Sequence, residues 1–199
     1  MKNKYVSTRG QVVSLVKQRR KRYVYRNMKL ARYAVSFEDV ESIMMLENPQ
    51  TTEEQSVKNF QATWQLLVDS KDVPADYRFL LKLHGILMKG LNTGVKSEMS
   101  MDQIDQLHTM INQPTKCYTE VALDCLLYIL GKRLFADGDV RVALMFANKI
   151  MMDHGCGIIT ISEYNDAEFR RLLHVFNETG DGEPLKNWLY GCSIEGKNF

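Results

Sequence analysis

Apolar residues recur every three to four positions along most of the chain, and this pattern predicts a series of helices. One apolar stripe follows Pro74 and another begins near Val140, each broad enough to bury one face of a helix. Further helices are predicted over 11–33, from Thr51 or Thr52 to Asp69, over 101–112 and over 119–130. Residues 158–161 are typical of a brief extended segment. The sequence therefore predicts an all-α fold.

The length of 199 residues suits one well-packed domain. We place this domain at 34–199, because the segment 1–33 differs from it sharply in charge. We expect the segment 1–33 to be helical and to pack on the domain or to flank it.

The joint between two predicted helices concentrates polar residues. An apolar segment ends at Gly131 and the next helical pattern starts near Val140. We expect Asp139 to cap the second helix, whose free N–H groups and positive dipole end suit a phosphate. A cap and a turn would explain the same residues, so the loop alone is a weak sign of function. The loop residues concerned are Arg133, Phe135, Asp137, Gly138 and Asp139.

The order Phe135-x-Asp137-Gly138-x-x-Arg141, followed by Asn148 on an apolar helix, resembles the central loop of the Fic (Fido) family. The family pattern reads His-Pro-Phe-x-Asp/Glu-Gly-Asn-Gly-Arg-x-x-Arg and ends in an Asn on the next helix. The copy here is degenerate. Arg133 stands at the His position, Leu134 at Pro, Asp139 at Asn, Val140 at the second Gly and Leu144 at the second Arg.

The resemblance implies a Fic-like helical bundle and a set of site residues. Members of the family transfer AMP from ATP to a hydroxyl of a target protein. By resemblance, Asp137 would hold Mg²⁺, and the nucleotide or its phosphates would contact Phe135, Gly138, Asp139, Val140, Arg141 and Asn148. ATP and Mg²⁺ are the cofactors so implied. Arg133 occupies the catalytic position but cannot accept a proton, because a guanidinium stays charged at any workable pH.

These departures favour a binding or regulatory module that works with a protein target or partner. An active transferase of AMP or another phosphate-containing group, with a non-standard base, is the alternative. The sequence shows no Walker loop, no G-x-S-x-G and no H-E-x-x-H motif that would supply a different reaction. It names neither the target nor the oligomeric state.

A second resemblance concerns Glu41. The segment 34–46 is similar to the Ser/Thr-x-x-x-Glu-Gly/Asn helix with which many Fic proteins block their own site, and Glu41 takes the Glu position. Because a partly buried carboxylate needs a cation, we expect Glu41 to turn to Arg133 or Arg141. An exposed acid near a helix start would explain it equally well. The pair Glu195-Gly196 is similar to the blocking motif in its C-terminal placement.

Other segments extend the resemblance to about 34–189. Residues 91–101 stand where the family forms a β-hairpin flap that an extended target strand can join. His84 stands where the family commonly has a Leu-His pair, and we expect it to be packed and hydrogen-bonded. Gly180-Asp181, Pro184 and Leu185 match the closing helices of the family.

The net charge of +2 conceals an uneven distribution. Eleven basic residues precede the first acidic one, Glu38, which leaves 15 basic against 24 acidic residues in the remainder. Such a segment can follow the phosphates of a nucleic acid, or it can lie across the acidic body of its own fold. The eleven are Lys2, Lys4, Arg9, Lys17, Arg19, Arg20, Lys21, Arg22, Arg26, Lys29 and Arg32.

Composition narrows the cellular context. No apolar run approaches the roughly 20 residues that span a bilayer, and the segment 1–10 lacks the apolar core of a secretory signal. We therefore expect a cytosolic protein without a membrane partner. The four cysteines show no metal-binding spacing, so free thiols are expected rather than disulfides or zinc.

Overall fold

The computed structural model describes residues 1–91 and 98–197. Within these ranges the predicted all-α fold is confirmed: nine α-helices surround one core, and a two-stranded antiparallel sheet joins residues near the C-terminus. The elements are α1 Arg9–Leu30, α2 Phe37–Met45, α3 Thr52–Asp69, α4 Tyr77–Leu87, α5 Met101–Ile111, α6 Tyr118–Lys132, α7 Asp139–Asp153, β1 Ile158–Ile159, a 3₁₀ turn Glu163–Asn165, α8 Asp166–Thr179, α9 Glu183–Cys192 and β2 Ile194–Glu195.

Local sequence explains where several helices begin. The hydroxyl of Thr51 accepts a hydrogen bond from the backbone of Glu54, and the Glu54 carboxylate accepts one from the backbone of Thr51, which confirms the predicted cap of α3. Thr8 and Gln11 form the same reciprocal pair at the start of α1. The predicted extended segment is present as β1, which pairs with β2.

Helix α7 lies at the centre of the bundle. Every residue from 142 to 152 is buried, because α1, α3, α4 and α6 all pack against this helix. Lys149 is fully buried there, and its ammonium group lies 2.6 Å from the Asp153 carboxylate and 2.6 Å from the carbonyl oxygen of Ser70. A buried charge is tolerated because it is paired and hydrogen-bonded.

Helix α1 packs into the same core, and four of its eight basic residues pair with acids of the rest of the chain. Val12, Val16, Tyr23 and Met28 are buried in that core. Basic residues of the segment 1–33 meet acids or carbonyl groups of the rest of the chain, as one of the two alternatives for this segment expects. These contacts join Lys4 to the carbonyl groups of Tyr190 and Gly191, Arg9 to Asp153, Lys21 to Glu41, and both Arg19 and Arg26 to Glu195.

The expected β-hairpin flap lies largely outside the described residues, since 92–97 are not among them. No helix in the described ranges combines the length and the apolar character needed to cross a bilayer.

Candidate functional site

The central loop joins α6 to α7 through two residues with left-handed backbones. Arg133 ends α6 at φ 45°, and Gly138 precedes α7 at φ 86°. The positive φ favours glycine at position 138, and a Cβ atom there would lie 2.8 Å from the sulfur of Met88, whose side chain would have to move. Val140 avoids strain, because it already lies in the first turn of α7 and has no positive φ.

Asp139 does not cap α7, contrary to the prediction. Gly138 is the N-cap residue, and Asp139 is the first residue of the helix. Its carboxylate turns back and accepts a hydrogen bond of 3.0 Å from the backbone N–H of Phe135, which closes the loop on itself. Among the described residues, no side chain caps the start of α7.

The carboxyl group of Asp139 is partly withdrawn from water. Burial raises its pKa to about 6, although the N–H of Phe135 and the charge of Arg133 act in the opposite direction. Asp139 is therefore partly protonated in mildly acidic solution and carries its charge at neutral pH.

His84 holds the loop from α4. Its ring stacks on Phe135 with centroids 4.1 Å apart, and its Nε2 atom lies 3.0 Å from the carbonyl oxygen of Asp137. Burial lowers the pKa of His84, a shift that the Asp137 carbonyl only partly opposes, so the neutral ring donates through Nε2. The prediction of a packed, hydrogen-bonded histidine is confirmed, and its partner is the loop itself.

Three arginines from three elements line one cavity of about 340 Å³ beside the start of α7. We call it the arginine cavity: Arg32 after α1, Arg141 in α7 and Arg170 in α8, with the loop residues 136–140. Asp137 and Asp139 also line it, so the lining contains three arginines and two acidic residues. This is the place where the structure gathers most of the predicted site.

Arg141 is held in place on several sides. Its guanidinium lies 5.6 Å from the centre of the Tyr33 ring, 4.0 Å from an oxygen of Asp137 and 3.8 Å from the sulfur of Met88. The Arg141 side chain is only 15% exposed, whereas that of Asp137 is 51% exposed. Arg141 is thus oriented before any ligand arrives, which lowers the entropic cost of binding.

Other predicted residues lie elsewhere. Arg133 is exposed and lines a separate cavity of about 590 Å³ together with Lys116 and Lys132. Phe135 is buried against His84. Asn148 is 1% exposed, and its amide donates to the carbonyl oxygen and accepts from the N–H of Ile159. Because both ends of this amide are occupied, Asn148 ties α7 to β1 and does not reach the arginine cavity.

The predicted contact of Glu41 is wrong. The Glu41 side chain is 73% exposed, and it pairs with Lys21 at 3.0 Å instead of turning to Arg133 or Arg141. The physical reason is the position of α1, which packs against α2 and places Lys21 beside Glu41. The Glu41 carboxylate also stays in contact with solvent, so it is stable without a cation from the loop. No blocking contact is made by Glu41 in this structure.

Glu195, the other glutamate that is similar to a blocking motif, is much less exposed than Glu41. It is half-buried and accepts hydrogen bonds from Arg19, Arg26 and the hydroxyl of Tyr23. Burial favours the neutral acid, but the bonds from the two arginines outweigh this effect and lower the pKa of Glu195. The contact fastens the C-terminal strand to α1.

The described residues hold no preformed site for Mg²⁺, which proteins usually bind through one or two carboxylates together with substrate phosphates. Within the described ranges, no group of three or more His, Cys, Asp and Glu side chains could hold a metal ion. Asp137 is close to the Arg141 guanidinium, and the Asp139 carboxylate is bonded to the loop backbone. We therefore assign no chemical step to a metal ion held by this loop.

Arg32 and Arg170 are functional candidates that the motif does not indicate. Arg32 belongs to the basic segment and Arg170 to the closing helices. Neither has a spacing that links it to the loop, and only folding brings them beside Arg141.

Comparison with known proteins shows the fold. No family model and no curated protein matches the chain. Solved structures do match: Fic-1 from C. elegans (TM-score 0.73, 19% identity, 93% of this chain and 62% of that one), a Fic family protein from Desulfovibrio desulfuricans G20 (0.69, 16%, 89% and 63%), and a Fic domain containing signaling protein from Bacteroides thetaiotaomicron VPI-5482 (0.68, 15%, 88% and 83%).

The chain thus has the Fic (Fido) fold, as the resemblance implies. It spans less than two thirds of the first two of these proteins, at 62% and 63% of their lengths. At identities of 15–19%, the likeness is one of fold alone.

Proposed function

We propose that this chain is a Fic-like binding module that holds a phosphate-bearing ligand in the arginine cavity and does not transfer AMP through a histidine base. The observation that carries this proposal is the convergence of Arg32, Arg141 and Arg170 on one cavity at the uncapped start of α7. Guanidinium groups and free helix N–H groups are the donors that phosphate oxygens accept.

The loop lacks a free proton acceptor at the family's catalytic position. Arg133 stands there, and a guanidinium cannot take a proton from a target hydroxyl. His84 lies on α4 and not at that position; its Nε2–H donates to the carbonyl oxygen of Asp137, which leaves Nδ1 as the accepting atom of the ring. The loss of a general base slows a reaction by a factor of about 10² to 10⁴.

The change at the second arginine position is built into the core. Leu144 is 3% exposed and packs within α7's buried surface. An arginine at position 144 would bury a charge, which costs several kcal/mol unless it is paired. The fold has therefore adapted to the loss of this cation.

Titration calorimetry with AMP and ATP at millimolar concentration tests the binding. We expect saturable heat that Arg141→Gln weakens about tenfold, because one charge-assisted hydrogen-bond donor is lost. Arg171→Gln is the matched control, since Arg171 pairs with Glu168 on the exposed side of α8 and does not line the cavity. No heat with AMP, ATP, inorganic phosphate or O-phosphoserine would remove the proposal.

Incubation with Mg-ATP and a cell lysate separates binding from transfer. A mass gain of one AMP on any protein would support the alternative, an active transferase with a non-standard base, and would contradict the proposal. A steep loss of RNA or DNA affinity with added salt would instead favour the basic segment as a nucleic-acid surface.

A further inference from the structure

The two arginines outside the motif are organised by the end of α1. Arg170 donates from Nε to Asp166 at 2.7 Å and from a terminal nitrogen to the carbonyl oxygen of Leu30 at 3.0 Å. Arg32 follows two residues later, exposed and at φ 64°. Tyr33 then lies under the guanidinium of Arg141. Residues 30–33 thus include Arg32 itself and contact the guanidinium groups of both Arg170 and Arg141.

We propose that Arg32 and Arg170 supply the positive charge that the motif has lost at Leu144, and that the arginine cavity takes a single terminal phosphate, a phosphomonoester, in preference to a triphosphate. This inference rests on the proposed function. It adds the role of Arg32 and Arg170 in place of the arginine missing at position 144, and the class of phosphate that is selected.

The balance of charge in the cavity limits the number of phosphates. Three arginines line the cavity with Asp137 and Asp139, and Asp166 pairs with Arg170 at 2.7 Å, so the formal charges of these six groups balance. A phosphomonoester carries close to two negative charges at pH 7, as a phosphoserine does. Each additional phosphate brings further negative charge toward the same two carboxylates.

The size of the cavity agrees with this limit. A volume of about 340 Å³ lies at the lower end of the range for small-molecule sites, which run from about 300 to 1,000 Å³. A space of this size suits a small phosphate-bearing ligand better than one that carries a triphosphate chain.

Calorimetry with inorganic phosphate, O-phosphoserine, AMP and ATP, with and without Mg²⁺, tests the inference on the full chain. We expect AMP to bind at least as tightly as ATP. Arg32→Gln and Arg170→Gln should each weaken AMP binding by about tenfold, because each removes a charge-assisted donor. Arg170→Lys should recover part of the loss, since the charge remains and the fork geometry does not.

Matched controls separate this effect from general loss of charge. Arg22→Gln removes an exposed arginine of α1 that does not line the cavity, and Arg171→Gln removes the neighbour of Arg170. Both should leave AMP affinity within about threefold of the unaltered chain. Thermal unfolding of each variant establishes that it is folded, and Arg32, being exposed, keeps the test available if Arg170→Gln does not fold.

Two results would overturn the inference while leaving the proposed function intact. One is ATP binding that is about tenfold or more tighter than AMP binding. The other is AMP binding that Arg141→Gln weakens but that neither Arg32→Gln nor Arg170→Gln weakens. Absence of heat with all four ligands removes the proposed function, and this inference with it. The relative affinities of AMP and O-phosphoserine identify whether the phosphomonoester is a nucleotide or a phosphorylated side chain.

Discussion

The Nε2 atom of His84 lies 3.0 Å from the carbonyl oxygen of Asp137, so a residue of α4 fixes the backbone of a loop 53 positions away in the chain. The same ring stacks on Phe135. The two contacts hold the loop between α6 and α7 in the shape that places Gly138 and Asp139 at the arginine cavity.

Replacing His84 by alanine should lower the free energy of unfolding by about 1–3 kcal/mol, the combined cost of one hydrogen bond and one ring stack. Urea denaturation at pH 7.5 measures this. His108→Ala is the control, because His108 is exposed, and it should change stability by less than about 0.5 kcal/mol. Equal effects of the two substitutions would contradict the assigned role.

The lowered pKa of His84 predicts a loss of stability in acid. The unfolded chain protonates this histidine first, so the stability that it contributes is complete above its ordinary pKa near 6.5 and declines as the pH falls below that value. In His84→Gln this part of the decline should be absent. Urea midpoints at pH 7.5 and pH 5.5 for both proteins provide the measurement.

Asp139 has the opposite pH dependence. Its folded pKa of about 6 exceeds the ordinary 3.8, so the fold binds this proton more tightly than the unfolded chain does. The stabilisation is complete below pH 3.8 and is lost as the pH rises through 6. Asp139→Asn should therefore be more stable than the parent at pH 8 by about 1 kcal/mol, after screening by solvent, and equally stable near pH 4. An advantage that does not change with pH would exclude this explanation.

The two glutamates similar to blocking motifs should differ strongly. Glu195→Gln leaves Arg19 and Arg26 without their carboxylate in a half-buried place, and should cost about 2–4 kcal/mol in urea denaturation. Glu41→Gln loses one solvent-exposed pair and should cost less than about 1 kcal/mol. AMP affinity should be unchanged in Glu41→Gln, since Glu41 makes no contact with the loop; a marked gain in affinity would restore its inhibitory role.

Arg32 lines the arginine cavity, and its backbone is strained at φ 64°. Arg32→Gly should raise the free energy of unfolding by about 0.5–1 kcal/mol, because glycine adopts positive φ without a Cβ clash. The control Arg22→Gly, inside α1, should lower it by about the same amount. Thermal and urea unfolding compare the two. A destabilised Arg32→Gly would show that the backbone at position 32 is relaxed.

Much of the loop could be predicted because its residue types have local consequences. The apolar positions of α7 follow the period of a buried helix, although the N-cap predicted at Asp139 lies one residue earlier, at Gly138. The contacts of Asp139 and Asn148 could not be predicted, because each side chain had several polar groups within reach. Asp139 and Asn148 accept hydrogen bonds from the N–H groups of Phe135 and Ile159, because these N–H groups need an acceptor inside the fold.

Periodicity and capping depend on residues close together in the sequence, so the sequence alone predicts the order of the helices and the all-α class. It also shows that Arg133, which cannot accept a proton, stands at the catalytic position of the family motif. The arginine cavity is a property of distant residues. Only when the helices pack does Arg170 donate a hydrogen bond to Leu30, 140 positions away, and only then does Lys21 of α1 pair with Glu41. Packing of the buried faces decides which charges meet. Burial of apolar surface in the core offsets the conformational entropy that these segments lose on folding, whereas the ion pairs contribute little stability.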